Sequence, residues 1–511
     1  MDLPISSATI KKAISMTRAI SGIRLTLLVI FVLSTVASNG QQTATRYDYH
    51  ESNRALIYSG MQALFICNGL FVSNRTLDQI YGAELKLDRM PLAPPDQIKI
   101  DRELKTVAVG ESGNGLVPVM RAAHREGLGC VVMGPEQTFA DIDKLPTLKM
   151  SPMPGDPSKL PWPDGDLVET KPLPSYIDRK VLNAAADFAF DRKEHGHPSQ
   201  LTLSLLVVHN GDIILERYAP GVDMTTKTRT WSTAKSIAAT LVGIAVGEGK
   251  LALDSPLPFR NWGPGRGPVP DSDPRTRITL RSILNMSSGL YPVDNTLNAY
   301  VFGSPLGYFG GVSSALGALD RGIVREQGTT FDYENYDSLL GVYALKTVLG
   351  DARKYLEFPR RALFDRVGMR NTIAGVDRFG DYVLSSQVYT NARDLARFGL
   401  LYLNGGTWKG ERIVPESWIR FARTPAPATR NIGRIYGGQF WLVPDELTDL
   451  PQDAYSTAGS RGQYTIVVPS YNLVIVRRGE DWLSGDTFSN WDLLREVLQA
   501  FPKRNGGEKL K

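Results

Sequence analysis

Histidine and cysteine are scarce in this sequence: five and two among 511 residues. The histidines stand at 50, 124, 195, 197 and 209, so no position after 209 carries an imidazole. A Ser–His–Asp hydrolase of the α/β type needs its histidine after the nucleophile and a Gly-x-Ser-x-Gly elbow; the sequence offers neither. His195 and His197 flank one glycine but lack a third ligand at a recognisable spacing, so they read as a polar loop. No carboxylate cluster stands out, and neither a metal nor an organic cofactor is expected. A charge excess in the body of the chain is also missing. The formal net charge is +5, of which residues 1–38 hold +3 and the tail from Lys503 onward another +3. The body is near neutral, which excludes a nucleic-acid footprint despite a pI of about 8.9.

A membrane-spanning run is lacking as well. Residues 25–33 are apolar but too few to cross a bilayer comfortably. Arg24 and other basic residues precede them, and small residues at 34–38 follow. Residues 1–38 therefore read as a secretory signal peptide, with a short membrane anchor as the other reading. No cysteine lies near the cleavage site, which argues against a lipoprotein anchor. The expected location is exported, periplasmic or secreted, with no stable membrane span. In an oxidising compartment Cys67 and Cys130 can pair. The closed loop of about sixty residues would contribute about 4 kcal/mol in the chain-entropy model. Two independent buried thiols are the alternative.

Composition is that of a globular protein, 42% hydrophobic and 22% charged. Residues 39–145 read as a small N-terminal domain holding both cysteines. Within it, 61–72 suggest a helix running into a strand, 104–110 alternate like a strand, and 128–133 suggest a short buried strand. Residues 146–174 hold eight prolines. Proline fixes φ and removes a donor, so this stretch is an extended linker. A dense pattern then runs over 175–505, and 506–511 are a tail. Residues 201–208 read as a strand, Asn210-Gly211 as a tight turn, and 213–218 as the returning strand.

Three segments carry chemistry. Ser232 and Lys235 stand three apart at the start of a helical stretch, which puts them on one face. Ile237, Leu241, Ile244 and Val246 fit its buried side, and Gly247 and Gly249 mark its end. The helix N-terminus and burial both disfavour an ammonium, pushing Lys235 toward the neutral form that a general base needs. Alone, this spacing arises by chance about once or twice in such a chain. Tyr333 and Asn335, two apart, can point the same way on an extended segment and complete a proton relay. Gly459, Ser460, Arg461, Gly462 and Gln463 then lead into an alternating strand that can offer a backbone N–H to an oxyanion.

Together these segments resemble the three motifs of the class C β-lactamase superfamily: Ser-x-x-Lys, Tyr-x-Asn and a strand triplet. The likeness extends through 231–256, 278–290 and 391–418, and covers about 180–501. The Gly-x-x-Gly-Gln ending is similar to the 6-aminohexanoate-dimer hydrolases and related esterases. The resemblance implies an α/β fold: an antiparallel sheet flanked by helices, with a helical subdomain between the first two motifs. It implies Ser232 as the acyl-enzyme residue, Lys235 as proton acceptor and Tyr333 as relay to the leaving group. Asn335 would brace the site, and the N–H groups of Ser232 and Ser460 would form the oxyanion hole, beside Gly459 and Gln463. One departure stands out: Thr457 occupies the place of a cationic residue that holds a substrate carboxylate in β-lactam-recognising members. Arg461 could supply a charge instead. Residues 127–130 resemble a turn in an N-terminal region found ahead of some such hydrolases, with no function implied.

The expected partner is a small-molecule ester or linear amide, with oligomeric state open. A cell-wall D-alanyl peptidase or β-lactamase is the alternative enzyme, and a peptide-binding protein without catalysis the alternative class. The joint presence of serine, lysine and tyrosine favours chemistry, because binding alone needs none of them. Tyr291, Tyr300, Phe302, Tyr308 and Phe309 could line a pocket or pack a core.

Overall fold

The computed structural model describes residues 50–87, 90–110, 118–263, 267–296, 299–430, 432–433, 435–483 and 485–502. The expected signal peptide at 1–38 and the tail at 506–511 lie outside them. The described chain opens with helix α1 (Glu51–Phe71). The expected change to a strand within 61–72 does not occur, because this run is rich in good helix formers (Met, Gln, Ala, Leu) and is buried from 60 to 70. A four-stranded antiparallel sheet follows: β1 (Ile98–Asp101), β2 (Thr106–Val109), β3 (Met120–Arg125) and β4 (Gly129–Val132), in that order. Cys67 and Cys130 form a disulfide that ties α1 to β4. Beside it Asn68 accepts from the Cys130 N–H at 3.0 Å and donates to the Leu64 carbonyl at 3.2 Å, so the buried amide is satisfied.

The small region packs closely on the rest of the chain. A helix apolar on nearly every side cannot be covered by four short strands alone. Ile57, Phe65, Val107 and Met120 share one core with Ile237, Leu284 and Leu395 from the rest of the chain. From Ser52 onward the described residues form one compact unit.

The larger sheet has six antiparallel strands among the described residues. They are β5 (Thr202–His209), β6 (Asp212–Tyr218), β7 (Trp441–Leu442), β8 (Tyr455–Gly459), β9 (Gln463–Val468) and β10 (Leu473–Gly479), ordered β7-β8-β9-β10-β5-β6. Asn210 and Gly211 join β5 to β6 with φ of 51° and 87°, the positive pair that a two-residue hairpin turn requires. Helices α2 (Arg179–Phe190), α3 (Thr233–Gly247), α4 (Asn335–Leu349), α5 (Ala392–Leu403) and α6 (Asn490–Leu498) surround it. Side-chain alternation divides the strands. Leu205, Val207, Ile466 and Ile475 face α2 and α6. Leu206, Val208, Val467 and Val476 face the core shared with α3 and α5. Each fully buried Leu, Ile or Val on these faces contributes about 1.5–3 kcal/mol.

Of the expected buried face of α3, Ile237, Leu241 and Ile244 are fully buried and Val246 half-buried. The helix is in fact enclosed on all sides between the sheet and α4. Among the described residues between α3 and α4 the α-helices are short, at Leu280–Leu284, Ala299–Phe302, Ser304–Phe309 and Ser314–Leu319. The proline-rich 146–174 runs without helix or ladder strand. Its carbonyls find arginine partners instead: Arg397 donates to Pro163 and Gly165, and Arg370 to Pro154. That arrangement satisfies acceptors that proline spacing denies a sheet.

Candidate active site

Ser232 stands at the N-terminal edge of α3, and its hydroxyl caps nothing. One turn on, Lys235 is only 1% exposed. Its Nζ lies 3.0 Å from Ser232 Oγ, 2.6 Å from Asn335 Oδ1 and 2.9 Å from the Ser385 carbonyl oxygen. These are its three hydrogen-bond partners. All three are neutral. Burial therefore dominates and pushes the amine down to about 7; Asp294 and Glu334 pull weakly the other way. In the neutral amine two N–H groups serve Asn335 and Ser385, and the lone pair is left facing the Ser232 hydroxyl.

Tyr333 is hydrogen-bonded to Ser232 through its hydroxyl, and burial pushes it up to about 12. It stays a phenol at ordinary pH. The Lys235 amine sits 5.0 Å from the Tyr333 ring centroid. Trp441, Tyr436 and Phe331 wall the tyrosine, with ring centroids 5.6 Å (Trp441) and 6.0 Å (Tyr436) from it and Phe331 packed on Tyr436 at 5.4 Å. Asn335 opens α4 and does not lie on an extended segment. Its amide is oriented by two acceptors: Nδ2 donates to Asp294 Oδ2 at 2.6 Å and to Ser304 Oγ at 3.0 Å. Asp294 also accepts from the Ser304 N–H at 2.8 Å and hydroxyl at 2.7 Å. Glu334 accepts from the Asp294 N–H at 3.0 Å; burial and the neighbouring carboxylate raise it to about 9. Asp294 and Ser385 gave no signal in the sequence: one is an isolated acid in a short 3-10 turn (Val293–Asn295), the other acts through its backbone.

The third segment is a hairpin, β8 to β9, with its turn at 460–462. Gly459 meets the start of α3: a Cβ there would collide with the Thr230 carbonyl and lie 3.1 Å from the Thr233 nitrogen. A bare Cα is what lets the strand reach the serine turn. Ser460 is exposed at the beginning of the turn. Thr457 is buried against α3, its hydroxyl accepting from Thr233 Oγ1 at 3.1 Å and from the Thr465 N–H at 3.0 Å.

Two expectations need correction. Gln463 does not face a substrate. Its side chain is fully buried, accepting from Arg478 Nε at 2.7 Å and donating to the carbonyls of Arg461 and Gly479. Arg461 is also buried, 2.6 Å from Glu480 and bonded to the carbonyls of Ala83 and Glu84, so it offers no charge to a bound carboxylate. Of the aromatic residues in 291–311, Tyr308 and Phe309 are core, with the Tyr308 hydroxyl on Ser385 Oγ. Tyr300 packs on Tyr58. Tyr291 and Phe302 line a surface groove of about 900 Å³. Among the described residues, no group of three or more His, Cys, Asp or Glu could hold a metal ion.

Comparisons with known proteins place the chain in a family and give its fold. Residues 190–498 match the family model described as Beta-lactamase. An uncharacterized protein of Alkalihalophilus pseudofirmus is 23% identical over 313 residues, 56% of this chain and 86% of that one. A 6-aminohexanoate-dimer hydrolase of Paenarthrobacter ureafaciens is 23% identical over 300 residues, 56% of this chain and 74% of its own length. The solved structure titled "EstCE1, a hydrolase with promiscuous acyltransferase activity" shares the fold at a TM-score of 0.50 and 14% identity, covering 63% of this chain and 98% of that one.

Proposed function

On the premise that the chain belongs to the beta-lactamase family of serine hydrolases, we propose that it cleaves a carboxylic ester or a linear amide through an acyl-enzyme at Ser232. The observation that carries this reading is the buried Lys235 amine, 3.0 Å from Ser232 Oγ and brought down to about 7 with neutral partners only. Ser232 Oγ attacks the substrate carbonyl carbon and gives its proton to the Lys235 lone pair. The oxyanion is held by the N–H groups of Ser232 and Ser460. Tyr333, still protonated, passes a proton to the leaving oxygen or nitrogen and is refilled from Lys235. Water then attacks the acyl ester by the reverse relay.

The substrate class follows from what surrounds these groups. Thr457 turns its hydroxyl into α3, where the β-lactam-recognising pattern has a cation. That favours a substrate without a carboxylate at this position. The aromatic wall of Tyr333, Trp441 and Phe331 suits an apolar group beside the scissile bond. A relative named 6-aminohexanoate-dimer hydrolase and a neighbour titled a hydrolase support the ester or linear-amide reading. Export is part of the proposal, supported by the N-terminal pattern of basic, apolar and small residues and by the Cys67–Cys130 disulfide.

The test is a fluorophosphonate serine probe with intact-mass readout beside a Ser232→Ala control. One adduct, absent from the control, is expected, followed by turnover of short-chain esters or linear amides and none of a D-alanyl peptide. A folded protein that takes up no probe would sink the hydrolase reading and leave peptide binding in its place.

A further inference from the structure

The segment ahead of the hydrolase motifs touches the site at two places, and both are backbone positions under constraint. Among non-glycine residues with positive φ are Trp231 at 49° and Arg461 at 63°. One immediately precedes Ser232 and the other immediately follows Ser460. Side chains at positive φ are uncommon and persist where their surroundings hold them.

The N-terminal segment supplies that hold in both cases. Phe65, on the disulfide-tied α1, packs edge-on against Trp231 with ring centroids 5.8 Å apart. The Arg229 guanidinium lies 4.4 Å from the Trp231 ring centroid and 5.1 Å from that of Phe65, completing the stack. At the other end Arg461 reaches out of the hairpin turn and donates to the Glu84 carbonyl at 2.7 Å and the Ala83 carbonyl at 2.8 Å. Its Nε bonds the Asp481 carbonyl at 2.8 Å, and Glu480 lies 2.6 Å from Nη1. The 83–84 backbone is itself fixed from within the segment, since Arg75 pairs with Glu84 at 2.7 Å. Phe65, Arg229, Arg461, Glu480, Glu84 and Arg75 are almost wholly buried, and Trp231 is half-buried.

We propose that the disulfide-tied N-terminal segment is a built-in positioning element of the catalytic site. Phe65 and Arg461 act as positioning residues that fix the two oxyanion donors, the N–H groups of Ser232 and Ser460. This rests on the acyl-enzyme reading above. A donor pair held by packing needs no reorganisation when charge develops on the carbonyl oxygen, so the segment acts on the transition state more than on substrate binding.

The experiment uses the full chain with a p-nitrophenyl ester of a short acyl group. Arg461→Lys keeps the charge and loses the planar fork that reaches two carbonyls at once. We expect kcat to fall about ten- to a hundredfold with KM changed less than about threefold. The infrared carbonyl stretch of the acyl-enzyme should move to higher wavenumber, a shift that a merely structural defect would not produce. Phe65→Leu, which keeps an apolar side chain, is the second variant and should give the same pattern from the Trp231 side. Folded variants with wild-type kcat, or with losses confined to KM, would overturn the proposal. Wild type that neither labels nor hydrolyses any ester would instead overturn the catalytic reading itself.

Discussion

Lys235 and Arg461 are both cations sealed inside the protein within a few residues of the serine turn or its facing hairpin, and they are treated in opposite ways. Lys235 is given a hydroxyl, an amide oxygen and a carbonyl. Arg461 is given a carboxylate and five backbone carbonyls besides. Burial lowers the Lys235 amine, but it is common to both cations, so burial alone does not separate them. The difference lies in whether a formal negative charge sits against the cation. Where it does, the cation is a structural fixture. Where it does not, the proton becomes removable.

The contrast can be broken by substitution. Lys235→Met should lower kcat/KM about 100- to 10,000-fold, the range for a lost general base, without lowering the melting temperature. Removing a buried cation that lacks a carboxylate leaves no stranded charge. Arg461→Met should do the reverse in stability, costing about 3–5 kcal/mol in urea unfolding because Glu480 loses its partner. If both variants melt alike, the contrast is wrong.

The same contrast predicts a pH profile. With Lys235 at about 7, kcat/KM should fall about tenfold per pH unit below that value, near a hundredfold at pH 5. No tyrosinate limb is expected below about 12. Stability carries the matching sign. The folded lysine is depressed below its ordinary 10.5, so between about 7 and 10.5 the unfolded chain binds the extra proton and stability from this group rises with pH. Lys235→Met should flatten that slope. The smallest expected effect belongs to Asp294→Asn. Asp294 raises Lys235 electrostatically, so the acid limb should move to lower pH, by about one unit or less. An upward move would show that Asp294 acts mainly by orienting Asn335.

That Ser232, Lys235, Tyr333 and Asn335 come together was legible in two short spacings and a marked helix start, although Asn335 opens a helix where an extended segment was expected. The Asn210-Gly211 turn and the strands it joins were legible for the same local reason. Asp294 was not, because its partner lies 41 residues away and a lone acid in a short turn has no pattern. Gln463 and Arg461 were misplaced because motif position gives no side-chain direction; that direction is set by Arg478 and by the 83–84 backbone, contacts made only on folding. The region before 145 also packs into the core of the rest of the chain, which its sequence did not announce. Proline content announces a break in secondary structure, not a break in the core.

The strand order has a consequence for how the molecule comes into being. Inner strand β5 pairs with β10, so Leu206 meets Val476 and Val207 meets Ile475. Synthesis from the N-terminus leaves the β5–β6 hairpin without that neighbour until Gly479 has emerged. Its apolar faces wait through about half of translation, because β5 ends at His209 and β10 begins only at Leu473, and pairing them closes a long loop. Such non-local pairing slows folding and lengthens exposure of sticky surface. In a chain wired in this way the larger sheet is complete only when its last strands arrive.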